Sequence, residues 1–390
     1  MLEQTLNSNQ FDQALELLKD GEKLPKTLDD FKKDQIFEKL IREKQFEILL
    51  HFIKDKTIES DIYELDNFDK SIFQSLIRYL PKDENSAKFF HEFISKFDNL
   101  NDEVGAKTLL SYFFEKGASL ENIKTLVEAG CDVQFKNNAE ENFLQQVIKT
   151  NLMKPELSLS YLEFLINEGL DVNQPNIVKK TPLITAIDFN RKEYTDLLLQ
   201  NGANPNDADK DGNTAFFYAV AHKLDLDLYL QLREFASPDL NHLNGNTVSA
   251  FFEYIRMMNG KSEREIKLLT QMIKDGGDLY HASQHYGKDK TPLNQIAEKA
   301  SEILEAVLET GKVEINRQDD NGDTLLHKVC AFNVNYDTEQ AKETYRKVKL
   351  LLENGADSSI TNDEDKTALM LASDDNLKIK TVELLMKQKS

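Results

Sequence analysis

The sequence predicts an all-α solenoid of stacked helix pairs with projecting finger turns. Three observations carry that expectation. Thr181-Pro182-Leu183, Thr214-Ala215-Phe216 and Thr247-Val248-Ser249 recur at a spacing of 33 residues. A period between about 20 and 50 residues marks units that stack because none can bury its apolar face alone. Each opening leads into two helical apolar patterns, such as Ile184, Ala186, Ile187 and then Tyr194, Leu197, Leu198, Leu199. The chain is 390 residues long and 40% hydrophobic, enough for one elongated core.

Within the unit each element has a local cause. Thr181 is placed to cap the first helix, and Pro182 sits at N1, where a missing N–H costs nothing. Gly202 follows the second helix, where a left-handed residue suits the exit. Lys210-Asp211-Gly212-Asn213 reads as a tight turn in which Gly212 takes positive φ. One unit is therefore helix, short turn, helix and finger.

Threonine, proline, leucine, a helix pair, the Asn201-Gly202-Ala203-Asn204 exit and the Asp211-Gly212 turn resemble the ankyrin repeat. Further openings stand at Thr108, Asn142, Thr291, Thr324 and Thr367, and further exits at Gly130, Gly169, Gly277 and Gly355. The resemblance covers about 105–390 and implies a finger turn before each of Thr181, Thr214, Thr247, Thr291, Thr324 and Thr367. It also gives His327 a structural role, its ring bonded to the Thr324 hydroxyl and the nearby turn.

Residues 1–104 are helical without the clear signature. Apolar stripes run through Phe11, Ala14, Leu18, through 34–40, and through Phe46, Leu49, Phe52. Ile72, Phe73, Leu76 and Phe89, Phe90, Phe93 form another pair. The region reads as eroded ankyrin-like repeats or a helical cap, followed by a 105–390 array. Spacing between openings lengthens in three places, with extra residues near Met153 to Leu159, Arg256 to Glu265 and Val334 to Tyr345. These insertions form edge loops or lengthen a helix. The unit opening at Thr214 lacks the glycine exit, having Ser237-Pro238 there. In the last unit Lys378, Lys380, Lys387 and Lys389 are expected to supply the polar face of a capping repeat.

Charge and composition narrow the function classes. A net charge of −20 argues against nucleic acid, whose binding relies on basic patches. No apolar run is long enough to cross a membrane, and Met1-Leu2-Glu3-Gln4 lacks a secretory signal, so a cytoplasmic location is expected. Cys131 and Cys330 suggest no disulfide framework.

Three chemical motifs have structural explanations. Asp207, Asp209, Asp211 and Gly212 mimic a calcium loop, but Tyr218 stands where a bidentate glutamate is needed. His281 and His285 are expected in an extended finger, without the further ligands zinc requires. His327 and Cys330 lack a third orienting group for catalysis. Neither a catalytic site, a cofactor site nor a metal site is assigned.

Binding is what remains. Fingers and first helices line a concave surface, and the candidate partner-binding residues are Lys179, Lys180, Lys210, Asp211, Lys288 and Asp289, with Phe217 and Tyr218 as partly exposed aromatic anchors. The ligand is expected to be a protein, and the unbound chain a monomer. The alternative is an accessory protein of an enzyme, toxin or membrane-bound apparatus, binding through the inter-helix insertions.

Overall fold

The computed structural model describes residues 1–25, 27–150 and 154–388. They form two compact units, Met1–Ala203 and Asn204–Ser390. In the first, the helix pairs are Leu2–Asn7 with Phe11–Lys19, Asp30–Arg42 with Phe46–Lys54, and Ile72–Tyr79 with Glu84–Ile94. Leu109–Lys116 with Leu120–Glu128, Phe143–Lys149 with Pro155–Asn167, and Pro182–Asp188 with Lys192–Gln200 continue the series. Its core is rich in aromatics, with Phe52, Phe73, Phe90, Phe93, Phe113 and Tyr161 fully buried. Packed aromatic rings such as Phe46 and Phe89, stacked 4.1 Å apart, add to plain area burial.

The second unit opens on Ala215–Phe217, which continues as a π-helical turn over Tyr218–His222 and pairs with Leu226–Arg233. Its later pairs are Ala250–Met257 with Glu263–Lys274, Pro292–Glu298 with Ser301–Glu309, Leu325–Ala331 with Thr338–Glu353, and Ala368–Ala372 with Ile379–Lys387. Two short strands, β1 (Ser283–His285) and β2 (Lys288–Lys290), pair antiparallel within one finger.

First helices start where a hydroxyl or amide side chain accepts an N3 amide. Thr108, Asn142, Thr181, Thr214, Thr291, Thr324 and Thr367 all do so. The opening expected at Thr247 lies two residues later, because Ser249 is the cap. Thr247 sits inside the finger turn at φ 57. The cause is a rule the openings alone do not show: fingers close around an Asn or Asp five residues before the cap. The side chains of Asn137, Asn176, Asp209, Asn244, Asp319 and Asn362 each accept the amides two and four residues ahead. Such Asx turns replace part of the backbone's own bonding. With Asn244 as the closing residue, Ser249 is the cap.

Gly212 has φ 80, and a Cβ there would stand 3.0 Å from the Asn244 backbone. The turn therefore needs glycine for both conformation and clearance. Where the exit glycine is missing, the Asn206 amide donates to the Ser237 carbonyl, as the Asn241 amide does to Gly276.

The inserted residues lengthen second helices: Pro155–Asn167, Glu263–Lys274 and Thr338–Glu353 are longer than Lys192–Gln200. Met153, named among those insertions, lies outside the described residues.

Buried lysines join the last four repeats. The Lys299 ammonium donates to Met258 O at 2.7 Å, Lys347 to Ala297 O at 2.7 Å, and Lys378 to Cys330 O at 2.8 Å. Each reaches the C-terminal end of the preceding repeat's first helix, where carbonyls are unpaired and the dipole favours a cation. Lys378, expected on a polar outer face, is 3% exposed because of this reach. Lys389 lies outside the described residues.

Candidate functional site

In four repeats, those capped by Thr108, Asn142, Thr181 and Thr291, the residue before the cap pairs across finger and first helix with the residue seven after it. In the first unit Lys107 meets Glu115 at 2.5 Å, Lys180 meets Asp188 at 2.6 Å, and Glu141 meets Lys149. Within the second unit Lys290 meets Glu298 at 2.7 Å. Two other residues before caps pair differently: Asp323 takes Lys328, four after its cap, at 2.8 Å, and Lys366 takes Glu364 on its own finger at 2.8 Å.

In two adjacent repeats of the second unit the residue before the cap carries no charge. Before the caps Thr214 and Ser249 stand Asn213 and Val248, and seven after them stand Ala221 and Arg256. Arg256 has no finger acid, so it bonds Glu253 one turn back on its own helix through two donors, Nε to Oε2 at 2.8 Å and Nη2 to Oε1. This carboxylate holds the guanidinium still more firmly protonated. Here lies an open cleft of about 460 Å³, lined by Asn213, Phe217, His222, Asn244, Asn246, Val248, Glu253, Arg256, Gln284, His285 and Tyr286.

Tyr286 is the unusual member. It occupies the position five before Thr291 where other fingers carry the closing Asn or Asp. A phenol cannot close that turn. The finger instead becomes the β1–β2 hairpin, turned by Tyr286 and Gly287 at φ 49 and 73. Two positive φ values fit a type I′ turn, which favours Asn-Gly over a tyrosine. The substitution leaves the Tyr286 ring 92% exposed, with its centroid 4.5 Å from that of His285.

The residues expected to bind a partner fall into three groups. Lys179, Lys210, Asp211, Lys288 and Asp289 are exposed on fingers, Asp289 bonded to the Gln284 amide. Lys180 is engaged by Asp188. Phe217 and Tyr218, expected to be partly exposed, are buried at 7% and 4%. The first helix turns both rings inward; Phe217 only edges the cleft, and the Tyr218 hydroxyl donates to Asp209 Oδ2 at 2.8 Å. That same bond explains the calcium-like motif, since Asp209 also accepts the Asp211 and Asn213 amides as the finger's closing residue.

Sequence reasoning missed Tyr286, Arg256 and His222. The departures at five before and seven after the cap would have flagged the first two. His327 sits as the resemblance implied: its Nδ1 lies 2.7 Å from the Thr324 hydroxyl and accepts the Thr324 amide, leaving Nε2 to donate to Lys366 O at 3.2 Å. Cys131 and Cys330 are buried free thiols, each pushed up to about 12 by burial. Among the described residues, no three His, Cys, Asp or Glu side chains are grouped to hold a metal, and no helix is long and apolar enough to cross a membrane.

Stacked helix pairs, Asx-closed fingers and polar concave clefts define an all-α repeat solenoid. A family model described as ankyrin repeats, in three copies, matches residues 156–242. The chain is 28% identical over 120 residues to an ankyrin repeat protein of Fowlpox virus (strain NVSL). That alignment covers 30% of this chain and spans 34% of the relative's length. A solved structure, the ankyrin repeat domain of Bcl-3, a member of the IκB protein family, shares 21% identity at a TM-score of 0.48, covering 63% of this chain and 98% of that one. Residues 156–242 thus match the ankyrin repeat. Ankyrin repeats are generally protein–protein interaction modules and carry no catalysis.

Proposed function

We propose that the chain is a non-catalytic scaffold that holds a protein partner on the concave face of fingers and first helices. The observation that carries this reading lies at Thr214 and Ser249, where the residue before the cap carries no charge and the exposed Tyr286 lines a polar cleft. An exposed, rigid aromatic beside an arginine has the composition of a binding hot spot. Backbone in a disfavoured region persists where the surroundings hold it and function uses it. Lys210, Asp211, Lys288 and Asp289 are exposed on the fingers that also supply the lining residues Asn213, His285 and Tyr286, and Lys179 and Lys180 lie on a finger of the first unit.

We further read 1–104 as eroded repeats leading into the 105–390 array, supported by its helix pairs and by Gly21 at φ 89 after Phe11–Lys19. A cytoplasmic location is supported by two buried free thiols, since reducing compartments keep cysteines unpaired.

A second reading places the partner on the lengthened second helices. A recess lined by Thr338, Ala341, Lys342, Tyr345, Leu377, Lys380 and Thr381 favours it, with the buried Thr381 hydroxyl unpartnered and Tyr336 nearby in sequence at 97% exposure. The two readings separate in a pull-down from the source cell followed by rate measurements at two ionic strengths. One variant changes Lys210, Asp211, Lys288 and Asp289 to alanine, the other shortens 334–345. Slower, less salt-sensitive association in the first alone supports the concave face. Loss in the second alone moves the site to the second helices.

A further inference from the structure

The cleft at Arg256 also suggests what it reads, and this inference rests on the concave-face reading above. Its lining is rich in donors: the Arg256 guanidinium, the imidazoles of His222 and His285, the Asn246 amide and the Tyr286 hydroxyl. One acid, Glu253, faces them. In a chain of net charge −20, this is a place where cationic and donor groups outnumber acids.

Glu253 does not use up Arg256. The pair lies three residues apart on one helix, and the arginine side chain is 39% exposed. Ion pairs of this kind contribute about 0–1 kcal/mol. Glu253 takes Nε and one Nη2 hydrogen, so a carboxylate arriving from outside meets the Nη1–Nη2 end of the guanidinium, whose remaining donors have room for a second acceptor. Elsewhere on this face the cation before or after the cap is held by an acid of its own repeat, as Lys290 is by Glu298. Arg256 differs in that its acid, Glu253, lies on its own helix, while Val248 stands at the finger position before the cap. The Tyr286 ring then offers a flat, two-torsion surface for the residue beside the carboxylate, at low cost in side-chain entropy.

We propose that this cleft binds an aspartate or glutamate side chain on an extended segment of a protein partner, with Arg256 receiving the carboxylate and Tyr286 covering the neighbouring residue. A basic segment, which the overall charge would attract by long-range steering, is the contrary outcome.

The test selects random linear peptides on a display library with the full chain, and repeats the selection with Arg256→Glu. Wild type is expected to enrich peptides bearing Asp or Glu. Those peptides should lose at least about tenfold in affinity to Arg256→Glu, the scale of one charge-assisted hydrogen bond. Arg256→Met should weaken them without inverting the selection, whereas Arg256→Glu should enrich Lys and Arg. Circular dichroism and thermal unfolding check that each variant is folded.

Enrichment of peptides without acids, or equal binding to Arg256→Glu, overturns the carboxylate assignment. If Tyr286→Ala still abolishes their binding, the concave-face reading survives that failure. Peptides indifferent to both Tyr286→Ala and Arg256→Glu remove the cleft from both proposals. No enrichment at all overturns the present one, because an extended segment is its stated ligand, and leaves the partner-binding experiment above to judge the face.

Discussion

Lys347 offers the strongest single test of how the repeats are joined. Its side chain is 1% exposed, and its ammonium donates to Ala297 O and Lys299 O, 2.7 and 3.2 Å away. Burial lowers its pKa from 10.5 to about 8, against the opposing pull of Glu343 and Glu298. The folded chain thus releases this proton at lower pH than the unfolded chain. Between about pH 8 and 10.5 the unfolded state binds more protons, so stability rises with pH across that window. From pH 7 to 9.5 the linkage amounts to about 2 kcal/mol. Cys131 and Cys330, raised by burial from 9.0 to about 12, act in the opposite sense above about pH 9 and together take back about 1.5 kcal/mol by pH 9.5. The effect is therefore read as the difference between wild type and Lys347→Met, about 1 M in midpoint at a urea slope of about 2 kcal/mol per molar. Lys299 and Lys378, also lowered by burial, push in the same direction as Lys347. Stopping at pH 9.5 keeps clear of the buried tyrosines Tyr229 and Tyr254, whose raised pKa values remove stability at higher pH. Urea unfolding followed by circular dichroism, on wild type and Lys347→Met, reads the effect. The variant should lose about 2 kcal/mol of the rise, whatever its stability at pH 7. A pH dependence of the midpoint in Lys347→Met equal to that of wild type between pH 7 and 9.5 would refute the buried-ammonium account.

Three further outcomes follow from named contacts. Gly212→Val should cost about 1–3 kcal/mol in thermal or urea unfolding, since it strains a residue at φ 80 and crowds the Asn244 backbone; unchanged unfolding removes the turn assignment. His327→Ala should destabilise by about 2 kcal/mol, because it empties a fully buried site and leaves the Lys366 carbonyl and the Thr324 amide without their ring partner; a loss below about 0.5 kcal/mol would contradict those bonds. In native buffer a thiol reagent should leave Cys131 and Cys330 unmodified and label both after denaturation, while rapid native labelling would contradict their burial.

Much of the fold was legible because its signals are local. Threonine before an apolar helix, proline at N1 and a left-handed glycine each act within a few residues, so Thr181, Pro182 and Gly202 read directly. Register at Thr247 was misread because the opening triplet is weaker than the closing Asx: two positions separate Thr247 from the cap, and Asn244 decides between them. Phe217 and Tyr218 were misjudged for another reason. Burial on a first helix depends on rotation against neighbouring repeats, which a π-helical turn at Tyr218–His222 alters. The lysine clamps were illegible, since Lys347 contacts a carbonyl 50 residues away and nothing in its own helix marks it. Tyr286 was visible only as a departure, and a departure is recognisable only once the Asx rule is known.

Hydrogen exchange on the chain with and without its recovered partner tests the concave-face account most directly. Bound partner should slow exchange at 244–248 and 283–290, the finger and hairpin backbones around the cleft, while leaving 338–345 and 377–381 unchanged. Protection confined to 338–345 and 377–381 would contradict the account and give the binding role to the lengthened second helices.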